Sequence, residues 1–514
     1  MSRSKNATRN MLFGIIVKIY GLFVPFIIRT VMIYTLGMQY LGLNSLFSSI
    51  LSVLNLAELG VGGAMIFSMY KPIAEKDSST ICALMRLYKI YYRIIGLIIL
   101  ILGLCLVPFL PNLISGTLPD GLNLYILYLM NLISTVITYW LFAYKNCLLN
   151  AHQRDDINHK INLIITTIQY GMQIAVLFIL KNYYIYVMLL LIFGAVNNIV
   201  RAVIVDKMYP EYKAYGKLPK TEVTKINQRV RDLFTSKIGS VVVDSVDTIV
   251  ISSFLGLTAL ATYQNYFYIL TSIQAFVTII FSSCIASIGN SIVTETEEKN
   301  YNDMKKFLLI ISWISGFFVC CFACLYQPFM EIWVGKENMI SYGFVICLCV
   351  YFFIKQINSL LNLYKDAAGI WHEDRFRPLV TALANLVMNI IMVQYWGLYG
   401  ILLSTILSML LVGMPWLLHN LFTVLFHKSV INFIKKLLYY VGITTLTSII
   451  CIVICSFIKM NLYITFFIRG IICVLVSNVV LYIFYHRFPE FYQVKVLILS
   501  LLPIEKIKGK VIKR

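Results

Sequence analysis

The sequence predicts an all-α integral membrane protein of about fourteen transmembrane helices, and three observations carry that expectation. Of the 514 residues, 60% are hydrophobic and only 13% charged, against about a quarter charged in an ordinary soluble domain. The apolar residues come in blocks of about twenty or more, the length a helix needs to cross hydrocarbon. The Lys and Arg residues gather at every second break between the blocks, the asymmetry that orients membrane helices. Ten-residue alternating segments, which a closed membrane barrel would need, do not dominate.

In chain order the apolar spans cover 11–36, 41–69, 87–111, 122–148, 160–180, 184–206, 235–256, 259–288, 305–327, 340–364, 378–396, 398–424, 437–458 and 461–485. The first exceeds the hydrophobic stretch of a signal peptide and lacks a small-residue cleavage site, so it is expected to be retained. With fourteen spans, 36 of the 43 Lys and Arg residues fall on one side. The other side holds only Lys181, Lys336 and Lys459. A missed or invented helix would invert every assignment beyond it. Both termini are therefore expected in the cytoplasm.

Between the sixth and seventh spans lies the longest hydrophilic stretch, basic and rich in Lys (Lys213, Lys217, Lys220, Lys225, Arg229). It divides the chain into six and eight spans. The expected organisation is an N-terminal lobe over 1–208, a basic cytoplasmic linker over 209–234 and a C-terminal lobe over 235–426. Two additional helices follow over 427–486, then a basic tail over 487–514. A weak internal repeat supports two related lobes. Arg29-Thr-Val-Met-Ile-Tyr-Thr-Leu-Gly37 parallels Asp247-Thr-Ile-Val-Ile-Ser-Ser-Phe-Leu-Gly256, about 219 residues later, as expected of repeats related by an axis along the membrane normal.

The net charge of +20 could suggest nucleic acid, but its distribution over alternate loops points to anionic lipid headgroups instead. Most of the twelve cysteines lie within apolar spans. The lone C-x-x-C of Cys321 and Cys324 has no second pair or nearby His in sequence to complete a zinc site, so helix packing is the expected role. No phosphate-binding loop, clustered metal ligands or large external loop is present. The chain is therefore expected to be neither an enzyme nor a cofactor binder.

Seven ionisable residues fall well inside spans: Lys18, Arg29, Glu58, Asp244, Asp247, Lys355 and Arg469. At ~3 kcal/mol each, leaving all of them facing lipid would cost about 20 kcal/mol. They must pair or face water. In the first span, Lys18, Leu22, Pro25 and Arg29 share one helical stripe, the two cations about 16 Å apart along the axis. Two cations at different depths suit an anionic substrate; the competing reading is that each snorkels to its nearer headgroup layer. Asn44, Ser48, Ser52, Asn55 and Glu58 form a polar stripe on the second span. Lys355, Asn358, Asn362 and Asp366 form another on the tenth. Both stripes suit the wall of a hydrated cavity, with interhelical hydrogen bonding as the alternative. Asp244, Asp247 and Glu58 are candidates for coupling a proton or sodium ion, with a structural ion pair as the bland reading. Arg469 reads as structural.

Tyr-Leu-Gly42-Leu-Asn-Ser-Leu-Phe-Ser-Ser-Ile-Leu-Ser, Ala57-Glu-Leu-Gly60-Val-Gly-Gly-Ala-Met and Tyr70-Lys-Pro-Ile-Ala together resemble the polysaccharide flippases, the Wzx-type transporters of O-antigen and capsule repeat units. So do the Asp247 to Gly256 segment with Tyr263-Gln-Asn-Tyr266, and Lys365-Asp-Ala-Ala-Gly369 followed by Asp374-Arg-Phe-Arg-Pro378. The similarity runs over roughly 8–425. It implies the fold of the multidrug/oligosaccharidyl-lipid/polysaccharide (MOP) superfamily, as in MATE and MurJ proteins: two six-helix lobes around a central cavity, here with two extra helices. It also implies alternating access that carries an undecaprenyl-diphosphate-linked oligosaccharide from the inner to the outer leaflet of the bacterial plasma membrane. Arg29 and Lys355 would hold the anionic headgroup. Implied partners are the polyprenyl-diphosphate-linked glycan, membrane lipids, H+ or Na+, and polysaccharide polymerase machinery. Two other functions compete: a MATE-type drug/cation antiporter, and a membrane-embedded glycosyltransferase or polymerase. Lys18, Arg29 and Lys355 weigh against the first, and the short external loops against the second.

Overall fold

The computed structural model describes residues 3–282, 284–458 and 460–501. Among them every regular element is helical: α1 (Arg3–Thr35), α2 (Met38–Leu54), α3 (Val61–Glu75), α4 (Ser78–Leu106), α5 (Leu124–Trp140), α6 (Asn146–Ala151), α7 (Asp155–Ile179), α8 (Tyr183–Met208), α9 (Lys220–Ser282), α10 (Ile285–Thr294), α11 (Glu297–Val334), α12 (Tyr342–Ala368), α13 (Arg377–Trp396), α14 (Leu398–Ser408), α15 (Met414–Asn420), α16 (Val430–Ser456), α17 (Leu462–Tyr485) and α18 (Pro489–Leu501). Among the described residues, twelve helical segments are long and apolar enough to cross a membrane, and thirteen if the bent pair of α5 with residues 143–151 forms one span. The expected fourteen differs because 241–279 counts as a single segment, although its backbone leaves the helix at Gly256. This is a multi-pass membrane protein.

Hydrocarbon leaves a backbone no partner but itself, which is why helices serve here. It also explains an exterior that water would not tolerate. Phe467 is 70% exposed, Leu438 63% and Leu475 60%, and such a surface is stable only against lipid.

The chain divides into two compact units, 1–264 with 389–398, and 265–388 with 399–514. In the first, α1 packs on α7, α7 on α8, and α5 on both α4 and α8. The internal repeat has a backbone counterpart in this unit. Gly37 (φ 106°, ψ 172°) separates α1 from α2, and Gly256 (φ 85°, ψ 177°) breaks α9. Both glycines hold a left-handed φ with extended ψ, a combination that strains any residue with a Cβ. The aligned sequences thus end in the same hinge. In the second unit α11 is central and packs on α12, α16 and α17. Trp313 on α11 donates to Asn478 on α17 at 2.9 Å.

Two expected spans are broken. The span over 41–69 runs as α2, a 3-10 turn over Asn55–Glu58 and then α3. The span over 122–148 bends by 47° between α5 and residues 143–151. At Gly42 on α2, a Cβ would lie 2.1 Å from the carbonyl oxygen of Leu257 on α9, so the two backbones meet directly. Gly42→Ala should overpack this contact and cost about 1–3 kcal/mol. A lowered melting temperature in detergent, set against an unchanged Gly171→Ala control with open space around it, is the expected result.

Candidate functional site

The accessible face of each candidate helix decides whether its polar residues meet water or lipid. A helix bordered by hydrocarbon exposes apolar side chains; one bordering a hydrated cleft exposes polar ones. On α2, Leu41, Leu43, Leu46, Phe47, Ile50, Leu51 and Leu54 are buried. Its exposed residues are Ser48 and Ser52. This helix opens only through its serines, with Asn44, Asn55 and Glu58 half-buried nearby on the stripe.

Helix α12 shows both behaviours in turn. Its first half exposes Tyr342, Ile346 and Val350. In its second half the accessible side moves round the helix to Lys355, Asn358, Ser359, Asn362, Lys365 and Asp366, which are half-buried or exposed, while Gln356, Ile357, Leu360, Leu361, Leu363 and Tyr364 are buried. The side that is accessible thus changes from apolar to polar along the helix.

On α1, Ile28 and Met32 mark the buried side, and Phe23, Ile27 and Tyr34 the exposed apolar side. At about 100° per residue, Lys18 and Arg29 point in a third direction, well away from the exposed apolar side. Lys18 is exposed and Arg29 half-buried. Across α2, Ile50, Val53 and Leu54 join Leu106, Phe109, Leu113 and Ile249 around an apolar recess of about 290 Å³.

The candidate coupling carboxylates differ in setting. Glu58 sits where α2 breaks and is held by two phenols. Tyr92 donates to its Oε1 at 2.7 Å and Tyr139 to its Oε2 at 3.1 Å. Tyr88 donates in turn to Tyr92 at 2.5 Å, and Tyr139 also approaches Asn55 Oδ1 at 3.2 Å. Asn55 is therefore tied to the Glu58 box. Asp247 is buried and accepts from Asn389 at 2.6 Å. The side chains of Asp244 and Lys237 lie outside the described residues.

Asn358 and Asn362 stay on the accessible side of α12, but Asn362 has a second task. Its Oδ1 accepts from Arg377 at 2.8 Å, and Arg377 forms a two-toothed pair with Asp374 at 2.5 and 2.8 Å. Lys365 reaches the same Asp374 at 3.5 Å, and Asn420 approaches it at 3.4 Å. Asp374 is 3% exposed. The stretches of Lys365 and Asp374 singled out in sequence are therefore one buried ionic bracket. Its analogue in the first unit is the buried Asp156, with Arg154 at 3.1 Å and Lys160 at 3.9 Å.

Sequence reasoning missed this bracket, the tyrosines around Glu58 and the Asn389 partner of Asp247. An Asp and Arg three residues apart at a helix start, as in Asp374 and Arg377, was the available signal. The C-x-x-C has neighbours that the sequence did not reveal. The second half of the cysteine set comes from other helices: Cys455 on α16 and Cys473 on α17 lie with Cys324 so that the three Sγ atoms are within 4.8 Å of one another.

No protein-family model matches the chain, and no curated protein is similar enough in sequence to count as a relative. Solved structures do match in fold. A lipid II flippase, MurJ, in an inward closed conformation aligns with a TM-score of 0.66 at 18% identity, over 93% of this chain and 99% of that one. An inward-facing multidrug-resistance MATE family transporter of the MOP superfamily aligns with a TM-score of 0.58 at 13% identity, over 79% and 97%. A MATE transporter from Vibrio cholerae gives 0.56 at 14%, over 83% and 99%. The chain has the MurJ/MATE fold.

Removing one partner of a buried ion pair strands the other charge, at a cost of about 3–5 kcal/mol. Arg377→Ala should therefore destabilise the second unit strongly, and Arg377→Ala with Asp374→Ala should recover part of the loss. Melting temperatures of the two variants in detergent check this order.

Proposed function

We propose that this protein is a flippase that moves undecaprenyl-diphosphate-linked oligosaccharide repeat units from the inner to the outer leaflet of a bacterial plasma membrane by alternating access. The observation that carries the reading is the accessible polar side of α2 and of the second half of α12, with Lys18, Arg29 and Lys355 on accessible or half-buried stripes. A diphosphate cannot cross hydrocarbon unaided, and fixed cations beside water give its headgroup charge-assisted hydrogen bonds. The polyprenyl tail stays among apolar groups, for which the recess around Ile50, Leu54 and Phe109 offers a contact. One structural neighbour is a lipid II flippase, which supports a lipid-linked substrate.

The proposed lobes are 1–208 and 235–426, rocking against each other about a site served by both. Both termini are cytoplasmic, as the loop charges favour, and polysaccharide polymerase machinery would receive the product. The cycle is driven by a proton or sodium gradient acting through Glu58, Asp247 or Asp244. A second reading is a drug/cation antiporter, and the Glu58 box favours it, because a carboxylate among tyrosines suits a cationic ligand. The cations on α1 and α12 favour the anionic headgroup.

The deciding experiment follows inner-to-outer movement of a defined polyprenyl-diphosphate oligosaccharide in proteoliposomes, beside efflux of a cationic dye. A charge-assisted hydrogen bond contributes about 1.5–3 kcal/mol. Arg29→Ala and Lys355→Ala should each slow flipping about 10- to 100-fold with normal insertion and folding. Full-rate flipping by both variants would refute the cationic site, and dye efflux without flipping would establish the antiporter. An imposed gradient should accelerate the wild type, and Glu58→Gln should reduce that acceleration. Equal rates with and without a gradient would remove the coupling role.

A further inference from the structure

Six of the twelve cysteines gather in one place. Cys320, Cys321 and Cys324 on α11, Cys451 and Cys455 on α16, and Cys473 on α17 pack together, five of them buried. Spacings of four residues (Cys320 with Cys324, Cys451 with Cys455) put each pair on one helix face. All are free thiols. Small residues between membrane helices need no further purpose when they only allow close approach, but two observations go beyond packing.

The first is geometric. The Sγ atoms of Cys324, Cys455 and Cys473 are all within 4.8 Å of one another. With Zn–S bonds of about 2.3 Å, the sulfurs of a tetrahedral site lie about 3.8 Å apart, so closure needs shifts of under about 1 Å. Cys321 packs against the same cluster from α11.

The second is electrostatic. Arg469 lies on α17 inside the membrane span, four residues and so about one helical turn before Cys473. Among the described residues no carboxylate pairs with it, and its buried Nε has no hydrogen-bond partner. An arginine at such a place calls for a compensating negative charge. Neutral thiols cannot supply one.

We propose that Cys324, Cys455 and Cys473 bind a thiophilic divalent cation, Zn2+, with Arg469 as the balancing charge. Three thiols release three protons to water and become thiolates. With Zn2+ they form a centre of charge −1, and Arg469 brings the whole to neutrality, the condition for a metal centre in hydrocarbon. Thiolate donors select Zn2+ over Ca2+ and Mg2+. Because the ligands come from α11, α16 and α17, the ion would clamp the last two membrane helices onto the central helix of their unit. It would act as a structural site, independent of transport.

The test uses the full chain purified under reducing conditions, stripped with chelator and then titrated with Zn2+. The expected result is one tightly held zinc per chain, a raised melting temperature that chelator reverses, and an ultraviolet thiolate-to-metal charge-transfer band on substitution with Cd2+. Cys455→Ser and Cys473→Ser should each lose the metal and the band. Cys105→Ser, at an exposed thiol remote in sequence, should keep both. Arg469→Gln should weaken zinc at least tenfold, whereas a merely packed cluster would show no metal response to this change. Wild-type protein that holds no zinc, serine variants that bind as the wild type does, preferential Cu+ occupancy, or a disulfide within the cluster in unstripped protein would each overturn the assignment.

Discussion

A polar side chain inside a bilayer has to find water, a partner or another place in the fold, and this constraint organises the molecule. The cost of a lone charge in hydrocarbon, about 3 kcal/mol on insertion scales, is comparable with a sizeable fraction of a domain's net stability. Each intramembrane polar group discussed above answers it differently. The α2 serines reach an accessible face. Glu58 is wrapped by tyrosine hydroxyls. Asp247 is paired with Asn389, and in the connection between α12 and α13 Asp374 is held by Arg377 and Lys365. Lys18 is exposed, and Lys355 and Asn358 are half-buried.

The backbone obeys a related rule. Where helices break, at Asn55–Gly60, Gly256 and Leu141–Phe142, carbonyls and amides leave the regular ladder, and such breaks persist at membrane depth only when protein or water satisfies the freed groups. The break in α2 coincides with the Glu58 box. At Gly256 the α9 hinge is braced by Ser115, whose amide donates to the carbonyl of Ser252 at 2.9 Å. Breaks and polar clusters occur together because both need the same shelter. Bent helices that alternate between packed arrangements are the usual machinery of alternating access.

Much of this was legible in sequence, because hydropathy and helical period act over long windows. Ser48 and Ser52 declared their stripe at four-residue spacing, and the repeat ending in Gly37 and Gly256 pointed to two related lobes, though not to the matching backbone at the two glycines. What stayed hidden depends on contacts between helices far apart in the chain. Nothing near Glu58 announces Tyr92 or Tyr139, which arrive from α4 and α5. The C-x-x-C on α11 looked incomplete because its partners lie more than a hundred residues away. The bent α5 and α6 pair read as one straight span, since hydropathy reports length and not direction.

The central claim is that the polar sides of α2 and α12 border water within the membrane. Nitroxide spin labels at Ser48, Ser52 and Asn358, compared with labels at Phe23 and Ile27 in lipid vesicles, address it most directly through their relaxation by a water-soluble nickel complex and by oxygen. The account predicts that nickel dominates at the first three positions and oxygen at the last two. Oxygen-dominated relaxation at Ser48, Ser52 and Asn358 would place these stripes against lipid and contradict it.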